Sequence, residues 1–201
     1  NDAAFEIGKA FVAWLSKKTG KPADKLSIGV GRDARLTGPS IGKAVMSGIK
    51  FACAQVTDCG LATTPAMYMT IEFAETKFDG SIMITASHLP FNRNGIKFFD
   101  KDGGLEHDDI TFILQEAAGT WKENNYSEDS NSFANLKLID LYSAHLRSII
   151  CRELNEDENS KPLKGLHIVV DAGNGDAGFF VSQILEPLGA DTTGSAFLEP
   201  D

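Results

Sequence analysis

Residues 80–99 read GSIMITASHLPFNRNGIKFF, and they contain two segments with the composition of β-strands. The first is the apolar run at residues 81–85, and the second, at residues 96–99, lies beyond an Asn94-Gly95 pair. A short apolar run between turn signals is typical of a buried strand, and Asn-Gly is a turn dipeptide. This stretch therefore predicts a strand, a loop held by a rigid scaffold, and a second strand.

The loop between these strands carries reactive side chains. Ser87 and His88 follow the first strand, and Lys97 stands on the second. A serine exposed at the end of a strand is a candidate nucleophile or phosphate carrier. A Ser-His pair in a loop is, however, more often a turn in which the hydroxyl group is already hydrogen-bonded. The pair by itself therefore leaves both interpretations open.

Strands and helices alternate on both sides of this segment. Strands at residues 26–30 and 55–60 are each followed by a helical pattern, which begins near Pro39 and Pro65. The same patterns predict a first helix at about residues 5–15, later helices at residues 105–121 and 136–154, and a polar loop at residues 122–132. Such alternation predicts an α/β fold with a mixed, largely parallel sheet between helices. Ligands of such folds bind at loops that follow the strands.

The carboxyl-terminal part of the sequence starts the same rhythm again. A polar, acidic stretch at residues 153–161 has the composition of a linker. Beyond it, residues 166–197 contain a strand, a helix and a strand, which make one βαβ unit. We therefore predict a first domain over residues 1–155 and the incomplete start of a second, similar α/β domain over residues 163–201. We also expect the chain to be a fragment of a longer protein.

A second loop, GRDARLTGPS from Gly31 onward, contains two arginines just before a helix. Guanidinium groups and the positive end of a helix dipole both favour anionic oxygens, so Arg32 and Arg35 are candidate substrate-binding residues. The alternative is that Asp33 pairs with one arginine and braces the loop. The cations predicted in these loops are Arg32, Arg35, His88, Arg93 and Lys97. Such a cluster suits a phosphorylated substrate.

Several other polar residues are expected to be structural. Thr63 and Thr64 precede a helix and can cap it. Asp171 belongs to a glycine-rich turn, which we expect it to brace. The run Glu106, His107, Asp108 and Asp109 lies at the first turn of a predicted helix, where we expect it to favour the helix dipole rather than to form a metal site.

The composition excludes several classes of protein. The chain has 28 acidic and 19 basic residues, for a net charge of -9, which argues against a broad basic surface for nucleic acid. We therefore expect no nucleic acid as partner. No apolar run reaches the length of a membrane helix, so we expect no membrane as partner either. Three cysteines without CxxC spacing predict buried free thiols and favour a reducing compartment. We expect a cytoplasmic protein, with an organelle as the alternative.

The sequence resembles the α-D-phosphohexomutase superfamily, the phosphoglucomutases and phosphomannomutases. TASHLP at residues 85–90 matches the family's T-A-S-H-N-P motif, except that Leu89 stands in place of Asn. Four further segments match in order and spacing, namely GRDARLTGP at residues 31–39, TTPAM at residues 63–67, NGIKFF at residues 94–99 and VVDAGNGDAG at residues 169–178.

The resemblance implies a phosphoserine mechanism. Ser87 would carry a phosphoryl group and donate it to a hexose phosphate, which would form a bisphosphate intermediate and move phosphate between C1 and C6. Lys97 would act as general acid or base, with His88 beside the phosphoserine. The family also uses Mg²⁺, held by the serine phosphate and by three aspartates of a D-G-D-x-D-R loop that this chain lacks. Hexose 1,6-bisphosphate would serve as activator, and the remaining mutase domains of the parent chain would be partners.

Alternatives remain open at this stage. Because the metal loop is absent from the 201 residues, we expect little or no mutase turnover from them alone. The Leu89 departure keeps a second interpretation, in which the mutase-like domain is a non-catalytic binding or regulatory module. A serine hydrolase is disfavoured, since no G-x-S-x-G elbow is present. Glucose, mannose and glucosamine phosphates all stay possible as substrates.

Overall fold

A computed structural model describes residues 1–90, 92–120 and 132–200, and its centre is a six-stranded sheet. The helices are α1 (Asp2–Thr19), α2 (Gly38–Phe51), α3 (Thr64–Glu72), α4 (His107–Thr120) and α5 (Leu138–Leu154). The strands are β1 (Ser27–Arg32), β2 (Gln55–Leu61), β3 (Gly80–Ile84), β4 (Ile96–Asp100), β5 (Gly103–Gly104) and β6 (Ala134–Asn135). The predicted α/β class is confirmed.

The strand order is β5-β4-β3-β1-β2-β6. Strand β1 pairs in parallel with β2 and β3, and β2 pairs in parallel with β6. Strand β4 runs antiparallel to β3 because the 85–95 loop reverses the chain, and β5 then pairs antiparallel with β4. The sheet is therefore mixed and mostly parallel, and the loops after β1, β2 and β3 leave it at one edge.

Helices cover both faces of the sheet. On one face, α1, α2 and α4 bury an apolar cluster with the strands, in which Phe11, Leu15, Ile28 and Ile49 are fully buried. On the other face, α3 and α5 enclose a second cluster that includes Met67. The result is a three-layer arrangement in which apolar side chains on both sheet faces are removed from water.

The part beyond α5 is less regular than the sequence predicts. Residues 166–171 and 191–197 form no continuous ladder, and their backbones pair at two isolated parallel bridges, His167 with Asp191 and Asp171 with Ala196. Between these bridges the chain turns at Gly194, and the Val170 amide donates to Ser195 Oγ instead of to a backbone carbonyl. Continuous strands are therefore interrupted by this turn. The predicted helix at residues 177–188 contains a π-helical turn over Val181–Leu185.

Other boundaries differ by small amounts. Helix α4 begins two residues later than predicted, and the predicted loop at residues 122–132 lies outside the described residues except for its last position. The division between residues 1–155 and 163–201 stays a prediction. A third apolar cluster, which includes Cys151, Leu163 and Ile184, packs the end of α5 against the following segment.

The prediction that the cysteines are buried free thiols holds for two of the three. All three are free, and Cys59 and Cys151 are buried, but Cys53 is exposed and not buried as expected. Cys53 follows helix α2 in a left-handed turn, with a φ of 67°, and this turn directs the residue away from the core. Among the described residues, none of the helices combines the length and apolar character needed to cross a bilayer.

Candidate functional site

Ser87 lies in the loop that follows the central strand β3, and its side chain is exposed. Its backbone is left-handed, with a φ of 52°, a conformation that costs a residue with a Cβ about 1–2 kcal/mol. The Ser87 amide donates to Thr85 Oγ1 over 2.9 Å, and the Leu89 amide donates to the Ala86 carbonyl over 3.0 Å. The serine is therefore held in a defined turn at the end of a buried strand.

Gly95 closes this loop on its far side. The Thr85 amide donates to the Gly95 carbonyl over 3.0 Å, and a Cβ at Gly95 would lie 2.9 Å from the Thr85 carbonyl oxygen. The Asn94 side chain then donates to Thr37 Oγ1 over 3.0 Å at the start of α2. The turn predicted at Asn94-Gly95 is thus a close backbone approach that ties the serine loop to a neighbouring helix.

The serine loop forms one wall of a cavity of about 860 Å³. The other walls come from the loops after β1 and β2 and from the turn at residues 173–177. A volume of this size lies within the range of small-molecule sites, which is roughly 300–1,000 Å³. Ser87, His88 and Leu89 all line the cavity, so the predicted nucleophile and its neighbour face a space large enough for a sugar phosphate.

Arg35 lines the same cavity but is paired within the protein. Its Nε donates to Asp33 Oδ2 over 3.1 Å, and its terminal nitrogens donate to carbonyl oxygens of the serine loop. The alternative prediction, that Asp33 pairs with an arginine and braces the loop at residues 31–40, is confirmed. The substrate-binding role of Arg35 stays a prediction.

Arg32 is directed to a different place. It ends β1 in register with Ile84, a residue of the cluster under α1 and α2, and a Cβ at Gly38 in α2 would lie 3.2 Å from its Cδ. It lines a separate cavity of about 260 Å³ together with Lys43. The structure therefore does not bring Arg32 into the wall of the Ser87 cavity, and its substrate-binding role stays a prediction.

Lys97 stands on β4 directly opposite Met83 of β3. Paired residues on neighbouring strands lie on the same face of a sheet, and Met83 lines the Ser87 cavity. The exposed Lys97 side chain is thus on the cavity side of the sheet, although it is not part of the wall. Of the five predicted cationic residues, Arg35 and His88 line the Ser87 cavity among the described residues. The charge of Arg35 is already paired with that of Asp33.

Asp176 was not predicted from the sequence as a site residue. It lies in the 173–177 turn on the cavity wall, and among the described residues its buried Oδ1 has no hydrogen-bond partner. Burial, with a smaller contribution from the Asp33 carboxylate, raises its pKa from 3.8 to about 6. No local signal could have identified it, because the neighbouring Asp33 is more than a hundred residues away in sequence.

The residues expected to be structural have structural partners. Thr63 caps α3, accepting from the Ala66 amide over 3.4 Å, and Asp171 accepts from the Gly173 amide over 2.9 Å. In the acidic run at the start of α4, Asp109 accepts from the Trp14 indole over 3.0 Å. Across the parts of the chain that the structure describes, no group of three or more His, Cys, Asp or Glu side chains could hold a metal ion.

Sequence and structure comparisons agree on the family. The family model for the phosphoglucomutase/phosphomannomutase α/β/α domain I matches residues 1–125. The chain therefore belongs to the phosphoglucomutase/phosphomannomutase family.

Individual relatives extend the similarity beyond the matched domain. The chain is 30% identical over 187 residues to a phosphoglucosamine mutase of Pediococcus pentosaceus, covering 93% of this chain and 40% of that protein. It is 28% identical over 191 residues to a phosphomannomutase/phosphoglucomutase of Pseudomonas syringae pv. tomato, covering 94% and 37%. A crystal structure of a family member from Burkholderia thailandensis superposes with a TM-score of 0.71 at 26% identity, covering 100% and 41%. The chain thus spans about 40% of the length of these relatives.

Proposed function

We propose that this chain is the phosphoserine-bearing portion of a phosphohexomutase. The observation that carries the proposal is the position of Ser87, exposed in a fixed turn at the end of the central strand and facing a cavity of about 860 Å³. The family match supports the same activity class, since the curated relatives are named as hexose-phosphate mutases. The proposed substrate is a hexose monophosphate.

In the proposed reaction, the bond between phosphorus and Ser87 Oγ breaks, and a substrate hydroxyl oxygen forms the new bond to phosphorus. The substrate hydroxyl loses its proton and the leaving Ser87 Oγ takes up a proton, so the step needs a general acid and base, for which Lys97 is the candidate. The hexose bisphosphate then turns over and returns its other phosphoryl group to Ser87. The net result is transfer between C1 and C6, and hexose 1,6-bisphosphate is the activator that first loads the serine.

The cationic residues have distinct proposed roles. His88 follows Ser87 on the cavity wall, where an imidazole can donate to phosphoryl oxygens. Arg32 is retained as a candidate substrate ligand from the neighbouring 260 Å³ cavity. A reducing compartment such as the cytoplasm suits the free cysteines.

The residues of this chain provide only part of a magnesium site. The phosphate on Ser87 would supply one oxygen ligand, and the described residues offer no acidic cluster beside it. Magnesium would balance charge on the transferring group when bound, and in this proposal its remaining ligands would come from other mutase domains. No step proposed for these residues depends on the ion.

A non-catalytic binding or regulatory module is the second candidate. The observation that favours it is Leu89, which is 50% exposed on the cavity wall at the position where the family motif has Asn. An apolar side chain there removes an amide that could hydrogen-bond a phosphorylated ligand. Both candidates share the fold and differ in whether Ser87 exchanges phosphate.

Intact mass with fragmentation tests the proposal. The full-length protein is incubated with glucose 1,6-bisphosphate and with the corresponding mannose and glucosamine compounds. We expect one added phosphoryl group on Ser87, which Ser87→Ala abolishes and Ser40→Ala, a change at another exposed serine, leaves intact. An unmodified Ser87 with all three compounds would reject the mutase and favour the module.

A further inference from the structure

The guanidinium group of Arg35 uses all five of its N–H donors inside the protein. Nε bonds to the Asp33 carboxylate, as described above, and the other four donors reach backbone carbonyl oxygens of one loop. These four bonds are Nη2 to Ser87 O at 2.7 Å and to Leu89 O at 2.8 Å, and Nη1 to Pro90 O at 2.7 Å and to Arg93 O at 3.0 Å. An arginine has no further donor to offer.

These acceptors define the path of the serine loop. All four acceptors are backbone oxygens. The guanidinium group therefore holds the main chain of the loop, and these bonds do not depend on the side chains of the loop residues. The Asp33 carboxylate that holds Nε is itself held, because its Oδ1 accepts from the Arg35 backbone amide over 3.2 Å. The Arg35 side chain is only 12% exposed. A left-handed residue such as Ser87 persists only where its surroundings hold it, and Arg35 supplies such a constraint.

We propose that Arg35 is a positioning residue, which holds the serine loop in the geometry needed for phosphoryl transfer and does not bind the substrate phosphate. This inference rests on the proposed function of Ser87. A substrate ligand would need a free donor, and a donor of Arg35 could reach a phosphate only by releasing a loop carbonyl or the Asp33 carboxylate. Its charge, moreover, is already balanced by Asp33.

Arg35→Lys separates the two roles in the full-length protein. Lysine keeps the positive charge but loses the planar fork that reaches four carbonyls. A positioning role predicts that kcat falls by about 10²-fold with little change in KM, the size of effect expected when a reacting group is displaced by about 1 Å. Arg152→Lys, a change at an exposed arginine whose guanidinium group bonds to the neighbouring Glu153, is the matched control and should leave both constants unchanged.

Amide hydrogen exchange gives a second readout that does not need turnover. Peptides covering residues 85–95 should exchange at least about tenfold faster in Arg35→Lys than in Arg152→Lys, because four loop carbonyls lose their donor. If Arg35→Lys does not fold, Asp33→Asn is tested instead. Asparagine has nearly the same size as aspartate, but without the negative charge it holds the Arg35 guanidinium group less strongly. It should produce a smaller change of the same kind.

The outcomes distinguish this inference from the proposed function. A rise in KM with kcat unchanged would make Arg35 a substrate ligand and overturn the positioning role. The positioning role would also be overturned if amide exchange in the 85–95 peptides were the same in Arg35→Lys and Asp33→Asn as in the wild-type protein. If the wild-type protein takes no phosphoryl group on Ser87, the proposed function fails and the phosphoryl-transfer role of Arg35 falls with it, even where exchange shows that Arg35 orders the loop.

Discussion

At the scale of single residues, Asp176 has a carboxyl group whose charged form is disfavoured by burial. Its pKa of about 6 exceeds the ordinary 3.8 mainly because of burial, while the Ala34 amide and the Arg32 guanidinium act in the opposite direction. The folded state therefore binds a proton more tightly than the unfolded state does. Stability from this group is present at low pH and declines as pH rises from about 4 to about 6.

Asp176→Asn should remove that pH dependence. We expect the variant to be more stable than the parent at pH 7.5 by about 1–2 kcal/mol, a value already reduced for partial solvent exposure, and to lose most of this advantage at pH 4.5. Urea unfolding at both pH values measures the difference, with the exposed Asp24→Asn as control. An equal difference at both pH values would show that Asp176 does not titrate in this window.

At the scale of elements, α1 and α2 cross through two glycines. A Cβ at Gly8 would collide with the Val45 carbonyl oxygen, and a Cβ at Gly48 would collide with the Phe5 carbonyl oxygen. The two helix backbones are thus in direct contact, and this contact places α2 and the Arg35 loop against the sheet. Backbone atoms cannot move aside as the end of a flexible side chain can.

Gly48→Ala should therefore destabilise the protein even though alanine is the better helix former. We expect a loss of about 1–3 kcal/mol in the free energy of unfolding from overpacking, read from urea unfolding. Gly42→Ala in the same helix is the control, because its Cβ would lie 3.4 Å from the terminal carbon of Ile84. That change should be neutral or stabilising by up to about 1 kcal/mol. Equal effects of the two substitutions would contradict the close helix crossing.

At the scale of the whole molecule, the segment after α5 leaves large apolar side chains in contact with solvent. Leu166, Val169 and Phe197 are 51%, 55% and 60% exposed. The runs at residues 166–171 and 191–197 pair at two isolated bridges, so this part has little sheet of its own. These features fit the proposal that other mutase domains complete the site.

The 201 residues alone should therefore show no mutase turnover. This sequence has no D-G-D-x-D-R loop, the segment in which the family resemblance places the magnesium ligands. A coupled assay with glucose 1-phosphate and glucose 1,6-bisphosphate should detect turnover by the full-length protein and none by this chain at equal concentration. Robust turnover by the 201 residues would disprove the need for further domains.

Much of the first domain followed from sequence patterns. The apolar runs of β1, β2 and β3, the helix starts near Pro39 and Pro65, and the Ser87 loop are all local signals, because turn chemistry and hydrophobic periodicity act over a few residues. Prediction was weaker beyond α5. There the runs at 166–171 and 191–197 have the composition of strands, yet a turn at Gly194 interrupts their pairing.

The sequence by itself determined the α/β class, the family and the position of Ser87 at the end of a buried strand. The tertiary structure alone decided what the surrounding charges do. Arg32 and Arg35 are three residues apart, but strand register directs Arg32 to the α2 side, while Arg35 reaches carbonyls more than fifty residues away. Asp176 meets Asp33 only because the 173–177 turn packs beside the loop after β1. Such contacts depend on how distant elements pack, and no local pattern encodes that packing.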